Sequence, residues 1–321
     1  MILVTGANGF VGQATAGALL ERGASVVSLV RRPIGRSGLG IEWVHDRPDF
    51  ADLEQAWPAS LRCDVVIHLA ARVHVIRDSA VDPMAAYRET NVEGSLRVAR
   101  AARASGARRF VYVSSIKAVG ESSAGRVPLG EDEQPMPTDP YGISKLEAER
   151  SLLAFGRDSG MEIVIVRPPL VYGPGVRANF LTLMRALHKG VPLPLGAIPA
   201  RRSLIYVENL ANALVACASD SRAAGQIFHV ADDRDLTVTE LARSLAACLD
   251  VPERLLPVPA AWLRIGGRLT GRLPEVDRLV GSLQLDTRRI RGVLGWRPPY
   301  GIEDGLRQTA AWYLSTQLAQ C

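Results

Sequence analysis

The chain begins MILVTGANGFVG (residues 1–12), and this stretch decides its fold. The apolar run over residues 2–5 predicts a buried strand, and glycines follow it directly at positions 6, 9 and 12. Glycine permits a tight turn and lets backbone amides approach a pyrophosphate, and the following helix adds unpaired N–H groups and a partial positive charge. The spacing of Gly6, Gly9 and Gly12 therefore predicts a dinucleotide-binding turn, although an ordinary strand–helix turn could carry the same glycines.

The rest of the first half repeats this alternation of strand and helix. The predicted strands are nearly continuous apolar runs, as expected when helices cover both faces of a parallel sheet. They are residues 2–5, 25–30, 41–44, 64–69, 109–114 and 162–167, and the helices between them include residues 10–22, 84–104 and 141–158. The pattern predicts an α/β fold, a Rossmann doubly wound parallel sheet that binds ligands at the carboxyl ends of its strands.

The second half differs in composition, because proline and glycine are frequent in it. Helices are predicted there over residues 179–189, 209–219 and 239–249. The last of these helices opens with a capping box from Thr237 to Glu240. We predict a dinucleotide-binding domain over residues 1–170 and a smaller, helix-rich substrate domain over residues 171–321, some of whose elements return to the sheet. The basic amphipathic segment at residues 262–272 either packs on the second domain or lies on a membrane surface.

Composition narrows the class of protein. The chain has 321 residues, of which 47% are hydrophobic and 22% charged, as in ordinary globular proteins. Its formal charge of +5 suits an anionic small substrate and does not imply nucleic acid. No apolar run is long enough to span a bilayer, and the N-terminus has no signal-peptide pattern. The four cysteines show no metal or disulfide spacing, so we expect a cytoplasmic protein without a metal site; they are Cys63, Cys217, Cys248 and Cys321.

The end of the second predicted strand bears on the choice of cofactor. NAD-binding versions of this unit place an acidic residue about 20 residues after the glycines, where it holds the ribose hydroxyls. Here Val30 occupies that position, and Arg31 and Arg32 follow it. A guanidinium pair could hold the 2′-phosphate of NADP by charge-assisted hydrogen bonds, so NADP(H) is favoured. If the arginines form only a solvated basic loop, NAD(H) would serve instead.

A second constellation carries acid–base chemistry. Tyr141 and Lys145 are four residues apart, which places both on one face of a helix. A nearby ammonium would lower the pKa of the phenol toward a working value. Ser115 follows the fifth predicted strand, where its hydroxyl could hydrogen-bond a substrate carbonyl or alcohol.

These motifs together resemble the extended short-chain dehydrogenase/reductase family, which includes nucleotide-sugar epimerases, dehydratases and reductases. The matching segments span essentially the whole chain and include residues 5–12, 68–71, 91–94, 114–115, 141–145, 167–169 and 171–174. The resemblance implies Tyr141 as acid/base, Lys145 as its pKa-lowering partner and Ser115 as a hydroxyl donor. It also implies cofactor contacts from Gly6, Gly9, Phe10, Val11, Lys145 and Pro168. Asp46 resembles an adenine-contacting acid, although a loop cap explains it equally well, and Asn91 resembles a structural asparagine.

Three features indicate a subgroup of this family. The 4,6-dehydratases carry an Asp-Glu pair after the hydroxyl residue, where this chain has Ile116 and Lys117. Arg202 matches an arginine that binds the substrate diphosphate, and Asn179 is a second candidate for that contact. Residues 72–75, 174–180 and 192–196 resemble enzymes of the UDP-N-acetyl-quinovosamine dehydrogenase type, which act in bacterial O-antigen pathways. That resemblance implies NAD(P)H-dependent reduction of the C4 keto group of a UDP-4-keto-6-deoxy-N-acetylhexosamine.

Two other functions stay open. A UDP-hexose or UDP-N-acetylhexosamine 4-epimerase would use the same Ser–Tyr–Lys set, but Leu170 and Val119 depart from the epimerase pattern. A non-catalytic NADP-sensing regulator is the more distant alternative, against which the intact set argues. We also expect a homodimer, and we expect His68, at an apolar strand end, to be a structural group and not a base.

Overall fold

The structure, a computed structural model, describes residues 1–33, 35, 38–73, 82–123 and 128–318. The strands are β1 (Ile2–Thr5), β2 (Val26–Val30), β3 (Ile41–Val44), β4 (Val65–His68), β5 (Arg109–Val113), β6 (Glu162–Arg167), β7 (Leu170–Tyr172), β8 (Arg201–Arg202), β9 (Leu204–Tyr206), β10 (Ile227–His229) and β11 (Leu236–Thr237). The α-helices are α1 (Phe10–Glu21), α2 (Leu53–Ala56), α3 (Pro83–Arg88), α4 (Gly94–Ala104), α5 (Pro140–Ser159), α6 (Ala178–His188), α7 (Val207–Ser219), α8 (Val238–Cys248), α9 (Ala260–Leu269), α10 (Leu273–Val280), α11 (Arg288–Leu294) and α12 (Ile302–Leu318).

Seven parallel strands form the main sheet, in the order β10-β6-β5-β4-β1-β2-β3. The chain leaves β1 toward β2 and β3 on one side and returns to β4, β5 and β6 on the other. The order therefore reverses at β1, which is where open α/β sheets bind their ligands. The predicted Rossmann doubly wound sheet is confirmed, and its first six strands begin and end within one residue of the predicted bounds.

Alternation along the strands divides the buried core into a layer on each face of the sheet. Val4 and Ile67 belong to the apolar cluster that contains residues of α1 and α7. Leu3 and Val66, their neighbours in sequence, belong to the cluster that contains residues of α4 and α5. Because both faces are covered, both sets of strand side chains are apolar, which explains the continuous apolar runs in the sequence.

The helix predicted over residues 84–104 is interrupted. Asp82 caps α3 by accepting a hydrogen bond from the Ala85 amide at 3.0 Å, with Pro83 in the first turn. A π-helical turn over Glu89–Glu93 then separates α3 from α4. Apolar periodicity continues through such a turn, so the pattern does not mark it, and π turns of this kind often lie at functional sites.

The second half contributes both to the main sheet and to smaller units. β10 pairs in parallel with β6, so one strand of the second half lies in the main sheet. β7 pairs with β9 and β11 pairs with β8, outside the main sheet. The capping box at α8 is present, with Thr237 and Glu240 each bonded to the other's backbone amide. The division of the chain at residue 170 stays a prediction. Among the described helices, none has the length and apolar character needed to cross a bilayer.

Candidate active site

The glycine turn lies at the carboxyl end of β1, between β2 and β4. Gly6 has a φ of +65°, and a Cβ there would lie 2.9 Å from the Ala70 amide nitrogen. A Cβ on Gly12 would lie only 2.1 Å from the Gly6 carbonyl oxygen. Any side chain at either position would therefore force the backbone apart.

The first turn of α1 is left open to a ligand. Gly9 is the N-cap of this helix and supplies no side-chain hydrogen bond. The N–H groups at the start of the helix, which include those of Phe10 and Val11, therefore need partners from outside the helix. Unpaired amides, a partial positive charge and glycines at positions 6, 9 and 12 fit the pyrophosphate of a dinucleotide.

The ends of β2 and β3 form the neighbouring edge of this site. Val30 is buried at the end of β2, and no acidic residue stands at that end. Arg31 and Arg32 follow it with exposed side chains, and neither forms an ion pair with another described residue. Asp46 is exposed two residues after β3, whose Val44 pairs with Val30. The structure thus brings both arginines and Asp46 close to the carboxyl ends of β2 and β3.

Ser115, Tyr141 and Lys145 meet where β5 ends beside α5. Asp139 caps α5 by accepting a hydrogen bond from the Gly142 amide at 2.8 Å. A Cβ on Gly142 would lie 2.5 Å from the Lys117 carbonyl oxygen, so glycine lets this turn pack directly on the segment that follows Ser115. The hydroxyl groups of Ser115 and Tyr141 are hydrogen-bonded. The predicted catalytic set is therefore assembled in the structure.

Lys145 is buried beneath the phenol. Its Nζ donates a hydrogen bond to the Val113 carbonyl at 2.8 Å and lies 4.5 Å from the centroid of the Tyr112 ring and 6.0 Å from that of Tyr141. Burial lowers the pKa of Lys145 to about 7, and the nearby charge of Glu149 opposes this change. A modest change in its surroundings can therefore change its charge at neutral pH.

The pKa of Tyr141 departs from the sequence-based expectation, in which Lys145 lowers it. In the structure burial raises the pKa of Tyr141 above its usual value, while the hydrogen bond with Ser115 lowers it in part. The physical reason is that a phenolate in this packed site loses its hydration. Tyr141 is thus held in its protonated form.

A buried ion pair supports this arrangement and was not anticipated from the sequence. Glu149, one helical turn beyond Lys145, accepts two hydrogen bonds from Arg167 at 2.9 and 2.6 Å. The two side chains are only 2% and 3% exposed. Pro168, which follows Arg167, accepts a hydrogen bond at 3.0 Å from the Ile116 amide and so fixes the segment beside Ser115. The i, i+4 spacing from Lys145 to Glu149 is the signal that could have identified this carboxylate.

His68 and Asn91 have structural roles, as expected. The two ring nitrogens of His68 are hydrogen-bonded to Thr5 at 2.8 Å and to Ser95 at 3.0 Å, and burial lowers its pKa to about 3. Asn91, in the π turn, donates hydrogen bonds to the Arg72 carbonyl and to the Ser144 hydroxyl. It thereby ties the segment after β4 to the helix that carries Tyr141.

Lys117 is engaged in ion pairs beside the catalytic set. Its Nζ lies 2.5 Å from Asp139 and 2.9 Å from Glu121. Glu121 also lies 3.7 Å from the Nε of Arg278, a residue that the sequence did not bring to attention. These contacts link the N-terminal end of α5 to α10.

The two residues predicted to contact the substrate diphosphate, Arg202 and Asn179, lie on different elements of the structure. Arg202 is half-buried in β8, where burial lowers the pKa of its guanidinium and the charge of Glu121 opposes this. Asn179 is exposed in the first turn of α6. Among the described residues no hydrogen bond joins the two. His74 and Val75, part of a segment matched in the sequence, lie outside the described residues.

Comparison with known proteins gives consistent results. Residues 2–231 match the family model described as "NAD dependent epimerase/dehydratase family". The chain is 42% identical over 316 residues to a UDP-glucose 4-epimerase of Vibrio cholerae, covering 98% of this chain and 95% of that protein.

Two solved structures show the same fold. One is a UDP-glucose 4-epimerase of Thermotoga maritima with UDP-glucose, which is 25% identical with a TM-score of 0.78 and covers 98% of this chain and 99% of that one. The other is MoeE5 in complex with UDP-glucose and NAD, which is 27% identical with a TM-score of 0.76 and the same coverage. These names describe proteins to which this chain is similar.

Proposed function

The chain belongs to the NAD dependent epimerase/dehydratase family and is an NAD(P)-dependent nucleotide-sugar enzyme. On that premise we propose that it reduces the C4 keto group of a UDP-4-keto-6-deoxy-N-acetylhexosamine. The observation that carries this proposal is the end of β2, where Val30 stands in place of an acid and Arg31 and Arg32 are exposed. Without a carboxylate on the ribose and with two cations for a 2′-phosphate, the site suits NADPH taken up and released in each turnover. A place in bacterial O-antigen synthesis, a cytoplasmic location and a homodimer are parts of the same proposal.

The residues of the site fit the chemistry of such a reduction. A nicotinamide dinucleotide bound on the glycine turn would supply the hydride. Ser115 and Tyr141 present adjacent hydroxyl groups that can hydrogen-bond one carbonyl oxygen and stabilise the charge that develops on it. Tyr141, held protonated by burial, donates its proton to that oxygen, and Lys145 stabilises the resulting phenolate until solvent restores the proton.

The position after Ser115 argues against dehydration. A dehydratase needs carboxyl groups there for its second acid–base step, and Ile116 is instead buried while Lys117 is held by Asp139 and Glu121. A carboxylate of the kind needed is therefore missing from this position.

Epimerisation is the second candidate, because the relative at 42% identity is named a UDP-glucose 4-epimerase. An epimerase keeps its cofactor bound while the 4-keto intermediate rotates within the site. A reductase must release oxidised cofactor after each turnover. The two functions therefore differ in an observable way although they use the same side chains.

The test is to incubate the purified protein with a UDP-4-keto-6-deoxy-N-acetylhexosamine and NADPH or NADH. We expect one cofactor oxidised for each keto sugar reduced, and little 4-epimer from UDP-glucose or UDP-N-acetylglucosamine without added cofactor. Efficient epimerisation with tightly bound, non-exchanging NAD would favour the second candidate. No turnover of either kind would favour the non-catalytic regulator.

A further inference from the structure

The helices α9 and α10 form a hairpin that is attached to the molecule along one side. Gly267 is the buried residue of α9, and a Cβ there would lie 2.9 Å from Val276 of α10. Leu263, Leu279 and Val280 pack against an apolar cluster of the second half. One side of α9 is thus covered by the protein.

The opposite side of α9 is apolar and exposed. Trp262, Ile265 and Leu269 are 66%, 48% and 83% exposed. Their spacing of three and four residues places them together on one face, about half a turn from Gly267. Burying side chains of this size is worth roughly 1.5–3 kcal/mol each, so leaving all three in water is costly.

Positive charge lies beside this apolar face. Arg264 pairs with Asp277 of α10 at 2.8 Å. Arg268, in the last turn of α9, and Arg272, just beyond it, are exposed and form no ion pair with the residues that the structure describes. Tryptophan and leucine next to free arginines are the composition of helices that lie in the interface of an anionic bilayer.

We propose that the outer face of α9, formed by Trp262, Ile265 and Leu269 with Arg268 and Arg272 beside it, docks on an anionic phospholipid surface. A second copy of the chain is a poorer occupant, because a stable protein interface takes about 20–30 residues a side and this face presents three large apolar side chains. Two such faces placed together would also bring their arginines into proximity. A bilayer needs no matching shape and supplies both the apolar depth and the negative charge.

The experiment measures co-sedimentation of the full chain with vesicles of phosphatidylcholine alone or mixed with phosphatidylglycerol. We expect binding to the mixed vesicles that weakens as salt is raised. The double variant Arg268→Gln/Arg272→Gln should bind about 25-fold more weakly, at about fivefold for each arginine. The double variant Trp262→Ser/Leu269→Ser should bind roughly a hundredfold more weakly.

Control variants carry changes of the same kind elsewhere on the surface. Arg22→Gln/Arg157→Gln removes two exposed arginines, and Ile41→Ser removes an exposed apolar side chain, so both should bind as the parent does. Thermal unfolding checks that each variant is folded. Equal binding to both kinds of vesicle, absence of binding, or the same loss in the controls would overturn the proposal. A change of oligomeric state in Trp262→Ser/Leu269→Ser would also overturn it and assign this face to a second copy.

Discussion

Tyr141, at the scale of single residues, combines a raised pKa with a position against Ser115. Tyr141→Phe removes the transferable proton and leaves the ring and the glycine turn in place. We expect turnover to fall by roughly a factor of 100 to 10,000 with cofactor affinity nearly unchanged. Steady-state rates and fluorescence titration with NADPH measure the two effects, and near-normal turnover would contradict the assignment of Tyr141 as the acid.

Glu149 acts on the charge state of Lys145: burial lowers the pKa of Lys145 to about 7, and the Glu149 carboxylate opposes that lowering. Glu149→Gln removes the opposing charge, so the pKa of Lys145 should fall further. Activity that needs the ammonium form would then be lost at a lower pH, and we expect the basic limb of the kcat/KM profile to move down by roughly one pH unit.

Two further variants accompany this measurement. Because Glu149→Gln leaves Arg167 as an unpaired buried charge, the double variant Glu149→Gln/Arg167→Gln is measured as well. Glu147→Gln is the matched control, since Glu147 lies on the same helix and pairs with Arg88 at a more exposed position. A basic limb that stays in place in a folded variant would show that Glu149 acts only on packing.

Residue identities in the site could be predicted where the signal is local. The glycine spacing at residues 6, 9 and 12 and the pair Tyr141 and Lys145 are each complete within one turn or one helix. The protonation states could not be predicted, because they depend on burial and on partners from other strands. Arg167 reaches Glu149 from β6, 18 residues away in the sequence, and no pattern in either segment predicts that the two side chains pair.

The element that bears on cofactor choice is β2, which ends in Val30 beside the exposed Arg31 and Arg32. Replacing both arginines by serine should weaken NADPH binding by roughly 1–3 kcal/mol, because a charged hydrogen bond to the 2′-phosphate is lost. NADH lacks that phosphate, so its affinity should change little. Dissociation constants for both cofactors measure this, and equal weakening would mean that the arginines form only a solvated loop.

Helices and strands could be predicted from period and composition, but their interruptions could not. The π turn over Glu89–Glu93 lies within an apolar pattern that reads as one helix, and it is recognised only by the contacts that Asn91 makes with Arg72 and Ser144. α9 shows the converse case. Its amphipathic pattern indicates a helix with an apolar face, but only the fold reveals that Leu263 and Gly267 face the protein while Trp262 and Leu269 do not.

On the scale of the whole molecule, the second half of the chain is joined to the first through the main sheet. β10 completes the edge beside β6, and α7 packs against α1, so the predicted domains share one core. The sequence indicated that some later element joins the sheet but did not identify which one, because β10 is only three residues long and too short to show a strand pattern. Parallel pairing between distant segments depends on topology that short strands do not encode.

Asp232, three residues beyond β10, connects these later elements. Its carboxyl group accepts hydrogen bonds from the Tyr172 hydroxyl of β7 at 2.7 Å, the Tyr206 amide of β9 at 2.9 Å and the Asn209 amide group of α7 at 2.8 Å. Burial raises the pKa of Asp232 from 3.8 to about 6, although these hydrogen bonds lower it in part. Between those two values the folded protein holds a proton that the unfolded chain has released.

That proton makes the stability of the fold depend on pH in a direction that can be tested. Protonated Asp232 stabilises the folded protein fully below about pH 4, and this contribution to the free energy of unfolding is lost as the pH rises through about 6. Asp232→Asn does not titrate, so the free energy of unfolding of the parent should fall relative to this variant by about 2 kcal/mol between pH 4 and pH 7, because raising a pKa by one unit corresponds to about 1.4 kcal/mol. Asp232→Ala leaves three donors without a partner and should be destabilised by roughly 2–4 kcal/mol at either pH. Urea denaturation at both pH values measures these differences. A parent that differs from Asp232→Asn by the same amount at pH 4 and pH 7 would show that Asp232 is ionised throughout in the folded protein.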